Sequence, residues 1–420
     1  MTNLVRTIIF LTAFLPGLSK FAIADEYHYN NMLIGDRASG MGGAYTAISD
    51  DATGMYYNPA GIAYVGSKNF SASVNAFYSQ TKKYNNVIGS RPFERKSSAL
   101  LANYFGIVKP VGRFKLGFSY AVPDAVGEDQ NQTFTDVSPT TSRFTINLNN
   151  KDTTINFGPS VAAEISNDFA VGMTLYAHKR DVQLILNQFL ERRDEISQTP
   201  TTSQWTNKYF GLSETGVRPV LGLAWSPMEK ISLGLSLSKT FLIKATGFNQ
   251  ATCRDDAIAV GCPVSEPLTA KQLPTLTDFT VKRKYPFKAA FGAAYFVDEY
   301  LLFSGDLTYH TAVKDLYGDK VATINVALGA EYYPTKKWAV RAGVYTNMAN
   351  TPNIQVGVTK IEEKINLYGL SLSVTNFSGD ASVTLGGSVN YGKGQSQIIG
   401  GTSVQDASTS GWLLFLSSSY

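Results

Sequence analysis

The sequence predicts an all-β fold, a transmembrane antiparallel β-barrel of about fourteen strands whose lumen holds an N-terminal plug. Three observations predict it. From Lys68 onward, segments of about ten residues alternate with period two, and turn residues separate them. The connections between these segments alternate short and long, with 314–320 the one short member of the long class. Beyond the leader no apolar stretch reaches the roughly 18 residues that a membrane helix needs, so a bilayer would be crossed by strands. The composition agrees: 36 Gly, 23 Tyr and 24 Phe with 17% charged residues suit many strands and turns and exclude a disordered chain.

Residues 1–24 carry Arg6, then the uncharged run Thr7 to Leu15, then Ala22-Ile23-Ala24, the order of a secretory signal peptide that leaves a mature start at Asp25. Its removal takes Arg6 and Lys20 and leaves 35 basic residues against 33 acidic, a net charge of about +2 with both signs scattered. Such a balance argues against nucleic acid as a partner.

Residues 25–67 lack both alternation and helical periodicity and are dense in Gly, Ala, Asp and Asn. Glycines at Gly40, Gly42, Gly43, Gly54 and Gly61 allow close backbone approach, and Pro59 fixes a turn while steering Asn58 away from helix. An irregular segment of this length is wasteful as a surface loop. Inside a lumen it becomes a plug.

The barrel, residues 68–420, places strands near 68–79, 97–108, 112–122, 152–165, 168–180, 215–226, 231–244, 286–297, 300–313, 321–334, 338–347, 364–377, 381–394 and 411–420. Alternation is cleanest in Ile231 to Ser238, where Ile and Leu hold every odd position, and in Ala381 to Tyr391. It slips near Tyr368-Gly369-Leu370, which suggests a bulge, and Leu100 to Val108 is apolar on both faces. A soluble β-sandwich also alternates, so loop lengths decide between the two. Tight turns fall at 109–111, Asn167, 227–230, 298–299, 335–337 and 378–380, and long loops at 80–96, 123–151, 183–214, 245–285, 348–363 and 395–410. Hairpins with short periplasmic turns and long outer loops explain that parity, and Greek-key crossovers do not. Trp225, Tyr295, Tyr332 and Trp338 fall near the short-turn ends, where aromatic side chains anchor at a membrane interface.

The order of Gly-rich stretch, Asp50-Asp51-Ala52, and Asn58-Pro59-Ala60-Gly61 ahead of a strand array resembles the FadL-type outer-membrane transporters of long-chain fatty acids and hydrophobic compounds. The resemblance implies a Gram-negative outer-membrane protein, a fourteen-stranded barrel closed by an N-terminal hatch, and passive uptake of a hydrophobic small molecule. It also implies no catalytic role and no cofactor. The expected surroundings are outer-membrane lipid and lipopolysaccharide, and the expected state is a monomer. Ligand would collect on apolar outer loops and leave sideways through a gap near strand 112–122, although no residue there marks such a gap. The polar start Asp25-Glu26-Tyr27-His28-Tyr29 departs from the family's apolar N-terminus, so that part of the ligand site is not carried over. Gly40-Met41-Gly42-Gly43-Ala44 with Tyr57-Asn58-Pro59-Ala60-Gly61 also looks like the PorV-type barrels, which implies as a second reading a secretion-system partner or shuttle.

Candidate sites follow from side-chain chemistry. In loop 183–214, Val182, Ile185, Leu186, Phe189 and Leu190 share one face if the segment is helical, although strand 168–180 could instead simply continue. Alternation points Lys115, His178, Arg180, Arg218 and Arg341 into the lumen with Glu164, Asp306 and Glu331. Such charges pair mostly with each other and with the plug. Arg218 and Arg341 are the candidates for ligand contact, since a guanidinium fork holds a carboxylate well. Ile185, Leu186 and Phe189 are the apolar candidates. Cys253 and Cys262 lie close together in an exported chain, which suggests a loop disulfide. His28, His178 and His310 lack metal-like spacing, and no Ser and His are paired as a hydrolase would need.

Overall fold

A computed structural model describes residues 26–66, 69–255, 277–280, 283–315, 318–357, 362–397 and 404–420. The signal peptide and Asp25 lie outside the described residues. In chain order the strands are β1 (Asn69–Ile88), β2 (Arg91–Val111), β3 (Phe114–Ser138), β4 (Thr141–Ser166), β5 (Phe169–Arg193), β6 (Pro200–Met228), β7 (Ile231–Lys239), β8 (Phe241–Asp255) and β9 (Thr277–Phe279). They continue with β10 (Phe287–Phe296), β11 (Leu301–His310), β12 (Thr323–Thr335), β13 (Trp338–Asn347), β14 (Glu363–Ile365), β15 (Leu367–Ser378), β16 (Ala381–Ser396) and β17 (Gln405–Ser419).

These segments make fourteen barrel strands. β7 and β8 flank Thr240 and both pair with β6, so they are one strand interrupted once. Asn366 interrupts another in the same way, because β14 and β15 both pair with β16. Among the described residues the short β9 pairs only with β8. Each barrel strand is antiparallel to its neighbours, and β17 returns to β1 to shut the ring. That seam ends in two mutual backbone bonds, Phe70 N to Tyr420 O at 2.7 Å and Tyr420 N to Phe70 O at 2.9 Å. Closure leaves no barrel strand without a neighbour on each side, which is the condition for spanning a bilayer with sheet.

Six hairpins turn tightly at one end, five of them where loop parity predicts; the turn expected at 109–111 falls instead at Gly112 and Arg113, because Lys109 to Val111 still pair with β3. Gly112 and Gly379 sit in two of these turns at φ 61° and 62°, a conformation that glycine takes without a Cβ clash. The outward face above the turns is apolar, with Phe118, Phe157, Leu175, Leu221, Phe291, Phe303, Leu372 and Leu414 all exposed. On this wall exposed means facing lipid. Trp225, Tyr295, Tyr332 and Trp338 are exposed near the tight-turn end, as an interfacial girdle requires.

At the other end the structure corrects the sequence reading. The segments expected as long loops at 80–96, 123–151 and 183–214 are mostly strand, because β1 to β6 are 20 to 29 residues long and run on past the lipid-facing belt. The helix expected at 182–190 is absent, and β5 continues to Arg193, paired on both sides with β4 and β6. Val182, Leu184 and Leu190 point inward and Leu186 packs beside them, a period of two that also satisfies i, i+4 and so imitates a helical face. The slip near Tyr368-Gly369-Leu370 proves to be the break at Asn366, and register is unbroken through those three residues.

The extended strands build a core of their own. Tyr84, Phe93, Phe134, Ile146, Ile365 and Leu367 pack together from five barrel strands, and Leu148, Leu184, Phe210 and Leu212 form a second cluster. Lys82 Nζ lies 2.8 Å from Glu363 Oε1, and Tyr84 donates to its other oxygen at 2.6 Å, so the buried carboxylate is satisfied.

Candidate functional site

The N-terminal segment lies within the barrel. Its three short helical turns are α1 (Asp36–Gly40), α2 (Gly54–Tyr57) and a 3₁₀ turn (Gly61–Tyr64). Wall residues on many strands bond to its backbone: Asn103 to Leu33 O at 2.8 Å, Thr174 to Met55 O at 2.9 Å, Ser232 to Ala47 O at 2.7 Å and Ser371 to Gly40 O at 3.0 Å. Asp306 accepts from Tyr45 N and Thr46 N at 3.1 and 2.9 Å. An irregular segment has no ladder of its own, and here the wall supplies its partners.

A belt of wall glycines makes that proximity possible. A Cβ on Gly172, Gly222, Gly234, Gly292, Gly329 or Gly343 would overlap the plug at Pro59, Asn58, Thr46, Ala47 or Met41. The residues are in register around the ring, with Gly172 opposite Gly222, Gly234 opposite Gly292, and Gly329 opposite Gly343. Glycine inside a strand often marks close backbone approach, and this was the readable signal that the sequence analysis passed over.

The plug motif is structural at every position described. Asn58 is fully buried, donating to Thr46 O at 2.8 Å and Leu223 O at 2.9 Å while Ala60 N bonds its side-chain oxygen. Asp51 caps Thr53 through its amide at 2.7 Å, and burial followed by the nearby Asp36 pushes the Asp51 carboxyl up from its ordinary range. Gly42 and Gly43 take φ 67° and 87°, Gly40 leaves no room beside Ser373 and Arg341, and Gly61 abuts Ser49. Asp50 pairs with Arg37, whose Nε also reaches Glu331 at 2.7 Å.

Of the candidate ligand contacts, Arg341 belongs to that same network, 3.5 Å from Glu331 and bonded to Thr375. Arg218 differs. It lies 5.0 Å over the Tyr56 ring, and among the described residues neither it nor Lys288 has a carboxylate within ion-pair distance. Lys288 borders a cavity of about 50 Å³ shared with Tyr29, Met32, Tyr56, Asp306 and Tyr345. A larger cavity of about 140 Å³ lies between Glu26, His28, Arg180, Arg283, Tyr285 and Lys320. Ile185 and Phe189 face away from the lumen, and Phe189 packs edge-on against Trp205 at 5.7 Å. His178 bonds Asn156 at 2.9 Å, His310 stacks on Tyr29 at 4.3 Å, and His28 reaches Ile365 O at 2.6 Å. Cys253 stands on β8 opposite Thr206, and Cys262 lies outside the described residues, as does any disulfide between them.

One stretch of wall is open. β2 and β3 pair at Ser97 with Glu128 and again, in the same register, from Tyr104 with Ala121, and the six residues between on each strand form no ladder pair across the seam, where Gly127 N donates instead to Ser97 Oγ at 3.2 Å. Pro123 lies in this stretch, in an irregularity of the β3–β4 ladder between Ala121 and Asp124. Proline donates no ladder bond, so a central strand that contains one is interrupted there. Met32, Val122, Ala125 and Phe415 are buried beside the break, with Ala99, Leu101 and Ile155 packed against them. The opening is therefore apolar and adjoins the plug. Pro123 is the mark that the sequence analysis missed.

The family model for outer membrane protein transport proteins (OMPP1/FadL/TodX) matches residues 18–361. The chain belongs to this family. As in the FadL/TodX family at large, it is an outer-membrane β-barrel of the Gram-negative type and a transport channel rather than an enzyme. Among solved structures it is similar to a Pseudomonas aeruginosa FadL homologue, at 15% identity and TM-score 0.65 over 94% of this chain and 99% of that one. It is similar too to the P. putida toluene transporter TodX (15% identity, TM-score 0.61, 92% and 98% covered) and the Ralstonia pickettii toluene transporter TbuX (15%, 0.58, 93% and 98%). At such identity the likeness carries the fold. No curated protein matches in sequence. The secretion-partner reading finds no support in these comparisons.

Proposed function

We propose that the protein admits hydrophobic small molecules, of the class of long-chain fatty acids or aromatic hydrocarbons, by passive passage that the N-terminal plug gates. The apolar break between β2 and β3 beside Met32 carries this reading, because a lipophilic ligand can leave there into the bilayer without crossing water. Pockets for drug-sized ligands measure roughly 300 to 1,000 Å³. Neither lumen cavity is that large, so passage requires the plug to shift. Arg218 is the favoured ligand contact, since a buried guanidinium without a carboxylate partner gains most from an arriving one. Leu186, inward between the two upper apolar clusters, belongs to the entry path. Related solved channels are described as transporters of toluene and monoaromatic hydrocarbons, which supports the ligand class. The barrel works as a monomer within outer-membrane lipid and lipopolysaccharide.

The test is uptake of radiolabelled oleate and toluene by cells with and without the gene. Uptake should fall for at least one of them, with a hydrophilic sugar unaffected. Unchanged uptake of both would overturn the reading.

A further inference from the structure

Strands β3 to β6 and β8 run on beyond the lipid-facing belt, and there their outward side changes character in one order. On β5 the exposed Met173 and Leu175 give way to Lys179, ten residues beyond Phe169 at the tight-turn end. At the usual strand rise and tilt that is about 25 Å along the barrel axis, the height of a hydrocarbon belt. On β4 Lys151 stands six residues beyond the exposed Phe157, and on β8 Lys244 follows the exposed Phe241. All three lysines are exposed, and register sets Lys179 and Lys244 on either side of Thr215. Farther out comes a row of amides. Asn131 on β3, Asn147 on β4, Asn187 on β5 and Asn207 on β6 are aligned by register, and Asn187 accepts from Asn207. Aromatic rings flank that row. Beyond it Phe189 meets Trp205 edge-on at 5.7 Å, with Arg143 5.3 Å over the Phe189 ring, and on the near side Tyr209 lies 4.6 Å from Phe248. Phe248 rests on Gly211, where a Cβ would overlap its ring.

We infer that this outer face holds one phosphorylated glycolipid of the outer leaflet, its acyl chains on the apolar belt, its phosphates on the lysines and its sugar rings on the amide and aromatic rows. The inference goes beyond the uptake reading and does not rest on it. Position is the first argument: the same strands face lipid lower down, so the occupant of this face continues the lipid layer outward. Charge is the second. Above the belt, up to the Arg143–Glu191 pair at 2.7 Å, outward positions of β3 to β6 and β8 carry five cations, Arg143, Lys151, Lys179, Lys244 and Arg254, against the carboxylates of Asp129, Asp181 and Glu191. That excess suits an anionic headgroup, and a second copy of the chain would instead set lysine row against lysine row. Composition is the third. Asparagine is depleted in strands, so four in one register row serve something other than the sheet. An amide both donates and accepts, as sugar hydroxyls do, and an aromatic ring gives the C–H face of a pyranose a flat apolar seat. Trp205 is still 54% exposed beyond the belt, an apolar surface that a sugar ring would cover. The opposite wall is built differently: β10 to β13 are only 10 to 13 residues long and end near the belt's outer rim.

The experiment uses the whole protein in phosphatidylcholine nanodiscs, with bound lipid counted by native mass spectrometry. Three probes are titrated in: rough lipopolysaccharide, lipid A, which has the phosphates without the core sugars, and phosphatidylglycerol, which has a phosphate alone. The wild type should hold one rough lipopolysaccharide, bind lipid A more weakly and show no saturable binding of phosphatidylglycerol. Lys151→Gln, Lys179→Gln and Lys244→Gln together should weaken both glycolipids about 100-fold. Trp205→Ala with Phe248→Ala should weaken rough lipopolysaccharide about tenfold and leave lipid A unchanged. Both variants change only outward-facing side chains and should keep the wild-type melting temperature. Equal binding of all three probes, no loss in the lysine variant, or loss of lipid A in the aromatic variant would overturn the inference, as would a dimer that the same substitutions break. Uptake plays no part in the readout, so this inference and the uptake reading stand or fall separately.

Discussion

Two sides of the same barrel wall treat the plug in opposite ways. Along β5, β6, β7, β10, β12 and β13 the ladder is unbroken beside the plug and the wall has glycines where the plug touches it, so backbone lies on backbone. Where the β2–β3 ladder opens, at residues 98–103 and 122–127, the plug meets the wall through Met32 and through Leu33 O, to which Asn103 donates, while Tyr104 and Lys115 hold Ala52 O and Val65 O only beyond the opening. Hydrogen bonds between rigid partners are lost all at once or not at all, whereas an apolar contact can slide. The contrast assigns anchoring to one side and passage to the other.

The largest effect should come from crowding the anchored side. Gly222→Val combined with Gly343→Val inserts methyl groups into the positions of Asn58 and Met41, and overpacking of this kind costs about 1–3 kcal/mol per site. The plug should lift and expose Arg37 to trypsin, read as a new N-terminal cleavage in intact outer membranes. Protection equal to wild type would mean that the belt does not hold the plug.

The second effect attacks the open side. Cysteines replacing Ala99 and Val126 face each other across the unpaired stretch by register, and a reducible bifunctional thiol cross-linker should bring uptake to the level of cells lacking the gene. Reduction should restore it. Full uptake with the bridge in place would move the exit elsewhere.

How far these sides were legible in the sequence depends on what wrote them there. Fourteen strands and six tight turns follow from alternation and turn residues, because a lipid face and a lumen face impose period two at every step. The plug was legible as Gly40 to Gly61 because it lacks any period. The extended outer strands were not, since Val182 to Leu190 obeys two periods at once, and only pairing with β4 and β6 chooses between them. The anchor and the exit are each written in single residues, the strand glycines and Pro123, whose meaning depends on what lies opposite. Glu26 could be read as polar, but its partners Arg180 and Arg283 are distant in sequence and meet only when the barrel closes.

A smaller effect is expected from Arg218→Gln, which leaves both walls intact. It should weaken laurate about 10- to 100-fold, the range of a hydrogen bond to a charged group, and leave toluene unchanged in equilibrium binding. Equal weakening of both would make Arg218 a packing residue.

The smallest effect concerns acid. Glu26 titrates near 2, below the ordinary carboxylate value, so its hold on the plug is fully present above that ordinary value and fades as pH falls through about 2. Protection of the Tyr27 amide against exchange should be the same at pH 7 and pH 5 and decline only below about 4. Loss already at pH 5 would show that another group holds the segment.

The seam between β1 and β17 also sets an order of assembly. Phe70 and Tyr420 can exchange their backbone bonds only after every strand between them exists, so the ring shuts last across nearly the whole length of the chain. The segment before β1 leads directly into the strand that makes this seam, so the stopper and the clasp of the ring hang on one short stretch of chain.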